Sequence, residues 1–149
     1  MKQEIRDYLH DRFDEIFKQK GFEIANESDG DDGYLIEYRS EIFTFRIEKF
    51  RREFHVSLFR TNISKDAANL FNVLGFLHQN SANPPTSNFF IEETDIEKNY
   101  KKQIDYIRDA IYNNLAELND FFGNGDVKSK LSDLEKYMQN RYPWLFKRS

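Results

Sequence analysis

The sequence predicts an α+β fold with an N-terminal helix, a four-stranded antiparallel meander and three C-terminal helices packed on one face of the sheet. Near the N-terminus and after residue 64, apolar residues recur every three or four positions, as in amphipathic helices. Between these regions, residues 34–59 alternate apolar and polar side chains, as in half-buried strands. No strand alternates with a helix, which disfavours a parallel sheet. The length of 149 residues suits one α+β domain over 1–149.

The first helix is predicted over residues 3–20. Its apolar residues fall at helical spacing with charged residues between them: Ile5, Leu9, Phe13, Ile16 and Phe17. Gly21 follows, where a left-handed backbone at the end of a helix requires little energy.

The meander is predicted from alternation. Phe22, Ile24 and Asn26 form the first strand, and residues 28–33 form a turn of Ser, Asp and Gly. A two-residue loop at Ser40–Glu41 would pair Tyr38 with Phe43, and the next loop would pair Ile47 with Phe54. In that register nine apolar residues share one face: Tyr34, Ile36, Tyr38, Phe43, Phe45, Ile47, Phe54, Val56 and Leu58.

Three helices are predicted in the second half. Ser64 precedes one that carries apolar residues from Ala67 to Leu77. After a loop with two prolines, the sequence Thr94-Asp-Ile-Glu97 has the form of a capping box and opens the longest helix, which ends at Phe121-Phe122-Gly123. Asp126 begins the last helix, and an aromatic tail follows it.

Composition argues against several kinds of chemistry. The chain has no cysteine, and His10, His55 and His78 lack a partner at metal-ligand spacing. The acidic stretch at Asp29–Gly33 fails the spacing of a calcium-binding EF-hand loop. Phosphate-binding glycine loops and nucleophile motifs are missing from the sequence. We therefore expect no metal, no cofactor and no enzymatic activity.

Charge and hydropathy limit the partners and the location. The net charge of −4 argues against nucleic-acid binding. The apolar runs of two or three residues are far shorter than the roughly 20 residues of a membrane helix, and no signal peptide is recognisable at the N-terminus. We expect a cytoplasmic protein with no membrane contact.

Charge is segregated along the meander. Residues 22–37 carry six acidic and no basic residues, whereas residues 38–60 carry six basic and three acidic ones. In the predicted register, Leu35 faces Arg46 and Arg46 faces His55 on the second face of the sheet. Aromatic, arginine and carboxylate side chains together are typical of protein contacts.

We therefore predict a partner-binding surface on this second face. It is centred on Glu37, Arg46 and His55, with opposite-sign clusters at its two ends: Asp31, Asp32, Arg51 and Arg52. Two alternatives remain open. The tail Trp144-Leu-Phe146 could cover the face, or a second copy could bind there as a homodimer.

The order of elements resembles that of small bacterial immunity-type proteins, which are encoded beside polymorphic or contact-dependent toxins. The likeness rests on a first helix closing on Lys20-Gly21-Phe22, the charged strand Phe45-Arg-Ile-Glu-Lys, and a long helix ending Leu118-Asn-Asp-Phe-Phe122. It implies a stoichiometric inhibitor that binds its toxin in the cytoplasm without catalysis. The alternative is a small enzyme or ligand-binding domain with a pocket between the sheet and the long helix.

Overall fold

The computed structural model describes residues 1–146. Its helices are α1 (Gln3–Lys18), α2 (Leu70–Leu77), α3 (Ile96–Asn113), α4 (Leu115–Gly123) and α5 (Val127–Arg141). Its strands are β1 (Glu23–Gly30), β2 (Gly33–Arg39), β3 (Phe43–Phe50), β4 (Glu53–Arg60) and β5 (Ala68–Asn69). The strands form one antiparallel sheet in the order β1-β2-β3-β4-β5. The predicted α+β class is confirmed, with five strands instead of four.

The face of the sheet that meets the helices is the predicted one. All nine residues assigned to it by alternation are at most 3% exposed. Phe13 and Phe17 of α1 pack on this face, where the Phe17 ring lies 5.0 Å from that of Phe45. Burying these aromatic rings against one another supplies much of the core, because each ring removes a large apolar area from water.

The strand pairing differs from the predicted register. Tyr38 pairs with Phe45 rather than Phe43, and Ile47 pairs with Val56 rather than Phe54. Both pairings are therefore shifted by two residues, because each turn lies one residue later in the chain than the prediction required. The Ser40 amide donates to the Phe43 carbonyl across the first turn, and Phe50 pairs with Glu53 across the second. A shift of two preserves the face of every side chain, so the core prediction survives while the neighbours across strands change.

Two glycines with positive φ lie at the end of α1 and after the β1–β2 turn. Gly21 adopts φ = +90°, and the Phe22 amide donates to the Phe17 carbonyl at 2.9 Å, which ends α1 as predicted. Gly33, after the turn Asp31–Asp32, adopts φ = +117°, and a Cβ atom there would lie 2.4 Å from the Lys49 carbonyl oxygen. Only glycine allows β2 and β3 to approach so closely at this point.

The helices of the second half begin and end differently from the prediction. Residues 68–69 extend the sheet, and α2 begins only at Leu70, where the Asn69 side chain accepts from two backbone amides. The cap of α3 is Asp95 instead of Thr94. The predicted longest helix is interrupted at Asn114, whose side chain lies 3.0 Å from His78 Nε2 and also donates to the Ala110 carbonyl. A side chain bound to its own helix backbone is a common cause of such breaks.

Two buried amide side chains join the start of β4 to the loop before α3. Gln103, 1% exposed, accepts from the Phe54 amide at 3.0 Å and donates to the Arg52 carbonyl at 2.8 Å. Its side chain also donates to Asn99, which in turn donates to two carbonyls of the loop before α3. Gln103 thus satisfies the buried Phe54 amide at a point that β5 does not reach.

Candidate interaction surface

The outer face of the sheet, which points away from the helices, carries an arginine held by a carboxylate and a ring. Arg46 and Glu37 pair directly across β2 and β3, with the Arg46 Nη2 atom 3.0 Å from Glu37 Oε2. The Arg46 guanidinium also lies 5.1 Å from the centre of the Phe59 ring. Both ionic side chains are half-buried, so this pair is a fixed part of the surface.

Part of the outer face is closed near the end of β4. Thr44 and Phe59 face each other there and are both buried. Thr61 turns back over them, with its hydroxyl 3.1 Å from the Thr44 hydroxyl and donating to the Ser40 carbonyl at 2.6 Å. The accessible part of the face therefore lies toward the opposite end of the strands.

His55 does not join Glu37 and Arg46 as predicted. The two-residue shift in pairing sets Ser57 opposite Arg46 and places His55 opposite Glu48. His55 Nε2 lies 3.1 Å from Glu53 Oε1, and its ring lies 5.3 Å from that of Phe89. It belongs to the rim of the outer face, beside the loop that precedes α3.

The two charged clusters lie at one end of the sheet, which corrects the prediction that they lie at opposite ends. Asp31 and Asp32 form the β1–β2 turn, and Arg51 and Arg52 form the β3–β4 turn. Because Tyr34 pairs with Lys49, the two turns are neighbours. Phe50, 59% exposed, lies beside them with the Arg51 guanidinium 5.3 Å from its ring. We call this group of residues the hairpin end: Asp31, Asp32, Phe50, Arg51 and Arg52.

The aromatic tail leaves the outer face uncovered up to Phe146. Trp144 and Leu145 are both 65% exposed. Phe146 borders a groove between α5 and the segment around Ala67, away from Glu37 and Arg46. The alternative in which the Trp144–Phe146 tail covers this face is therefore wrong for the described residues.

A second cluster of ionic side chains fastens α1 to β1 and β2, and sequence reasoning missed it. Glu27 Oε2 accepts from the Tyr34 hydroxyl at 2.7 Å and from Arg6 Nε at 2.9 Å, and lies 2.8 Å from His10 Nε2. The other ring nitrogen of His10 lies 2.8 Å from Asp14 Oδ2. The Tyr38 hydroxyl donates to the other Asp14 oxygen at 2.6 Å. We call this group of side chains the Glu27 network: Arg6, His10, Asp14, Glu27, Tyr34 and Tyr38.

The Glu27 network shifts the protonation of its members. Burial alone would raise the pKa of Glu27, but hydrogen bonds from Tyr34, Arg6 and His10 outweigh it and lower the pKa to about 2. Burial likewise works to lower the pKa of His10, yet its bonds to Glu27 and Asp14 raise the pKa overall. Burial and the hydrogen bond to Glu27 raise the pKa of Tyr34. At neutral pH the network thus holds a carboxylate and a protonated tyrosine.

This network is arranged for attachment more than for catalysis. Both His10 nitrogens already lie at hydrogen-bond distance from carboxylates, so neither is available to take a proton from a substrate. The sequence contained a signal: Tyr34 and Tyr38 were assigned inward, and a buried tyrosine needs a partner for its hydroxyl. His10 and Asp14 are four residues apart and therefore lie on one face of the predicted helix.

The space between the sheet and α3 is filled by side chains. A cavity bordered by Phe54, Val56 and Ile107 has a volume of only about 10 Å³. Ile104 and Ile107 of α3 are themselves at most 4% exposed. That cavity, which also touches the loop before α3 at Phe89, has room for about one water molecule.

Metal, membrane and family comparisons complete the description of the surface. Among residues 1–146, no group of three or more histidine and carboxylate side chains is placed to hold a metal ion. None of the helices in that range is long and apolar enough to cross a membrane. Comparison of the chain with protein-family models, with curated proteins and with solved structures gives no match.

Proposed function

We propose that this chain is a non-catalytic protein-binding module that acts as an immunity-type inhibitor of a bacterial toxin in the cytoplasm. Its interface comprises the hairpin end together with the outer face around Glu37 and Arg46. His55 contributes at the rim. The side-by-side placement of oppositely charged turns next to exposed Phe50 is the observation that carries the proposal.

The hairpin end has the features of a binding site. Arginine and aromatic side chains are enriched among the residues that dominate interface energies, and Phe50 and Arg51 are stacked at the tip. The Gly33 contact fixes the spacing of the two turns, so the positive and negative groups keep their relative positions. Such a pattern would orient an oppositely patterned partner and speed its encounter.

The filled space between sheet and α3 favours binding over catalysis. An enzyme or ligand-binding domain would need a cavity of some hundreds of Å³ between these layers, as the alternative supposes. Here Ile104 and Ile107 of α3 are buried in one core cluster with Phe54 and Val56. The Glu27 network, moreover, satisfies its own acids and bases internally.

The experiment uses the protein encoded by the gene beside this one, which the proposal expects to contain a toxin domain. The purified pair is measured for association rate, and the chain is co-expressed with the toxin to measure cell growth. Two double variants are compared with the unaltered chain: Asp31→Lys with Asp32→Lys, and Arg51→Glu with Arg52→Glu. A matched control reverses two exposed lysines of α5, Lys128→Glu with Lys136→Glu.

We expect both hairpin-end variants to associate about tenfold more slowly or worse, because steering by charge is lost or reversed. Protection of growth should weaken in parallel, while the melting temperature changes little since these side chains are exposed. The α5 control should bind normally. Unchanged association in both hairpin-end variants, or no binding to the neighbouring toxin at micromolar concentration, would contradict the proposal.

A further inference from the structure

The edge strand β1 is open to solvent along its length. Seven of its eight residues are exposed and Glu27 is half-buried. Among residues 1–146, β1 pairs with β2 alone. Exposed strand edges present unpaired amides and carbonyls that can hydrogen-bond an added strand.

The turn at Asp31–Asp32 determines which backbone groups are free. Gly30 and Gly33 close the hairpin across this turn. The closing pair of a two-residue turn is hydrogen-bonded, and pairs alternate from there along an antiparallel ladder. Counting back from Gly30, the amide and carbonyl groups of Asp29 and Glu27 point away from β2. The regular part of the edge runs from residue 26 to residue 30, because a bulge interrupts the pairing between Ile24 and Asn26.

A groove opens beside the bulge, on the helix side of β1. Its volume is about 410 Å³, and its walls include Asp14 and Lys18 of α1, Phe22, Glu23 and Tyr38. The Asp14 carboxylate accepts from Tyr38 and lies beside His10, yet 41% of its side chain is exposed. A carboxylate can accept further bonds, so an ammonium or guanidinium with its apolar stem on Phe22 fits this groove.

The charges along the β1 edge indicate the charge of the segment that would bind there. Glu23, Asp31 and Asp32 are exposed there, whereas the carboxylates of Glu27 and Asp29 already contact cations. Lys18 alone adds a positive charge to the groove. A second copy of β1 would set acidic residues against acidic residues, which like-charge repulsion opposes. A segment that carries lysine or arginine at alternate positions meets the opposite charge.

We infer that β1 is a docking edge for an extended, lysine- or arginine-bearing segment of another protein. That segment adds as a sixth strand along residues 26–30 and places one cationic side chain in the groove beside Asp14. The inference deepens the proposed function, on which it rests, by naming the chemistry of the partner. The proposed binding surface then continues from Asp31 and Asp32 of the hairpin end along β1.

The test uses a synthetic probe and does not need the toxin. An acetylated, amidated peptide of about nine residues, long enough for one strand, alternates lysine with valine; a matched peptide alternates glutamate with valine. Each is titrated into the isotope-labelled chain while backbone NMR signals and amide hydrogen exchange are recorded. The variant Glu23→Lys removes one acid from the groove, and Asp133→Lys on α5 makes the same charge change far from it.

The lysine peptide should shift the signals of residues 26–30 and slow exchange of the Glu27 and Asp29 amides about tenfold, as new backbone hydrogen bonds form. Glu23→Lys should weaken its binding about tenfold, with Asp133→Lys unchanged. The inference is overturned if neither peptide saturates at millimolar concentration, if the glutamate peptide binds equally well, or if shifts map to the outer face. Protection of the two amides in the free chain, or dimerisation through β1 in sedimentation, would also refute it. Failure here leaves the toxin-binding result unaffected, so the two proposals are judged separately.

Discussion

Replacing Glu27 by glutamine should reduce stability in a way that depends on pH. A folded-state pKa of about 2, against 4.5 for the free side chain, corresponds to about 3 kcal/mol when the carboxylate is fully ionised. The side chain is 17% exposed, so solvent screening reduces this figure to about 2 kcal/mol. Glu27→Gln keeps the shape of the side chain and removes its charge. We therefore expect a loss of about 2 kcal/mol near pH 6.

The sign of the pH dependence follows from the two titrating partners. A lowered carboxyl pKa stabilises the fold above pH 4.5 and loses its effect as pH falls toward 2. The raised pKa of His10 stabilises the fold below about pH 6.5 and loses its effect as pH rises through the folded-state value. Arg6, Asp14, Asp29, Tyr34 and Tyr38 also face this site. The difference between variant and parent should therefore be largest between about pH 5 and 6.5.

Urea unfolding from about pH 2.5 to 9, followed by circular dichroism, measures this difference. Glu23→Gln, an exposed acid in the same strand, serves as the control and should change stability by less than about 0.5 kcal/mol at every pH. If Glu27→Gln lowers stability by the same amount across the whole range, its effect comes from packing and the electrostatic reasoning is wrong.

Three further predictions concern the core, the covered edge and metal. Phe45→Ala, at a fully buried position with three aromatic rings within 5.2 Å, should lower the free energy of unfolding by about 3–5 kcal/mol, and a loss below about 1 kcal/mol would contradict its place in the core. Gln103→Leu should cost about 2–4 kcal/mol in urea unfolding, because it leaves the Phe54 amide and Arg52 carbonyl unpaired, whereas Gln139→Leu on exposed α5 should cost little. Thermal melts with and without a chelator should superimpose, since the chain has no cysteine; a drop of several degrees would reveal a bound metal.

The inner face of the sheet could be predicted because side chains alternate between the two faces along each strand, whatever the pairing of the strands. Tyr34, Phe45 and Leu58 are buried whether a pairing is correct or shifted by two residues. The neighbours across strands depend instead on where each two-residue turn lies, and neither turn carries a sequence that specifies its position to one residue. The alternation therefore predicts the correct face for Glu37 and Arg46, whereas the predicted pairing sets His55 opposite Arg46 instead of Glu48.

Features that depend on contacts between residues far apart in the chain could not be predicted from the sequence. Glu27 sits in a strand that reads as polar and exposed, and its partner His10 lies on α1, 17 residues away in the chain. The start of α2 depends on whether Ala68 pairs with β4. That pairing is a tertiary contact, and local propensity does not predict it. The break at Asn114 likewise depends on a contact with His78 from another helix.

The two edges of the sheet differ, and the difference affects how copies of the chain could join through their sheets. A fibre built by joining sheets edge to edge needs two receptive edges on every molecule, one for each neighbour. Gln103 occupies the start of the β4 edge by bonding the Phe54 amide and the Arg52 carbonyl, and β5 is only two residues long. Within residues 1–146, β1 is the long open edge, so a chain that joined there would leave no second long edge for a further copy. The Gln103 amide should therefore make a single edge-to-edge contact easier than a growing row of sheets.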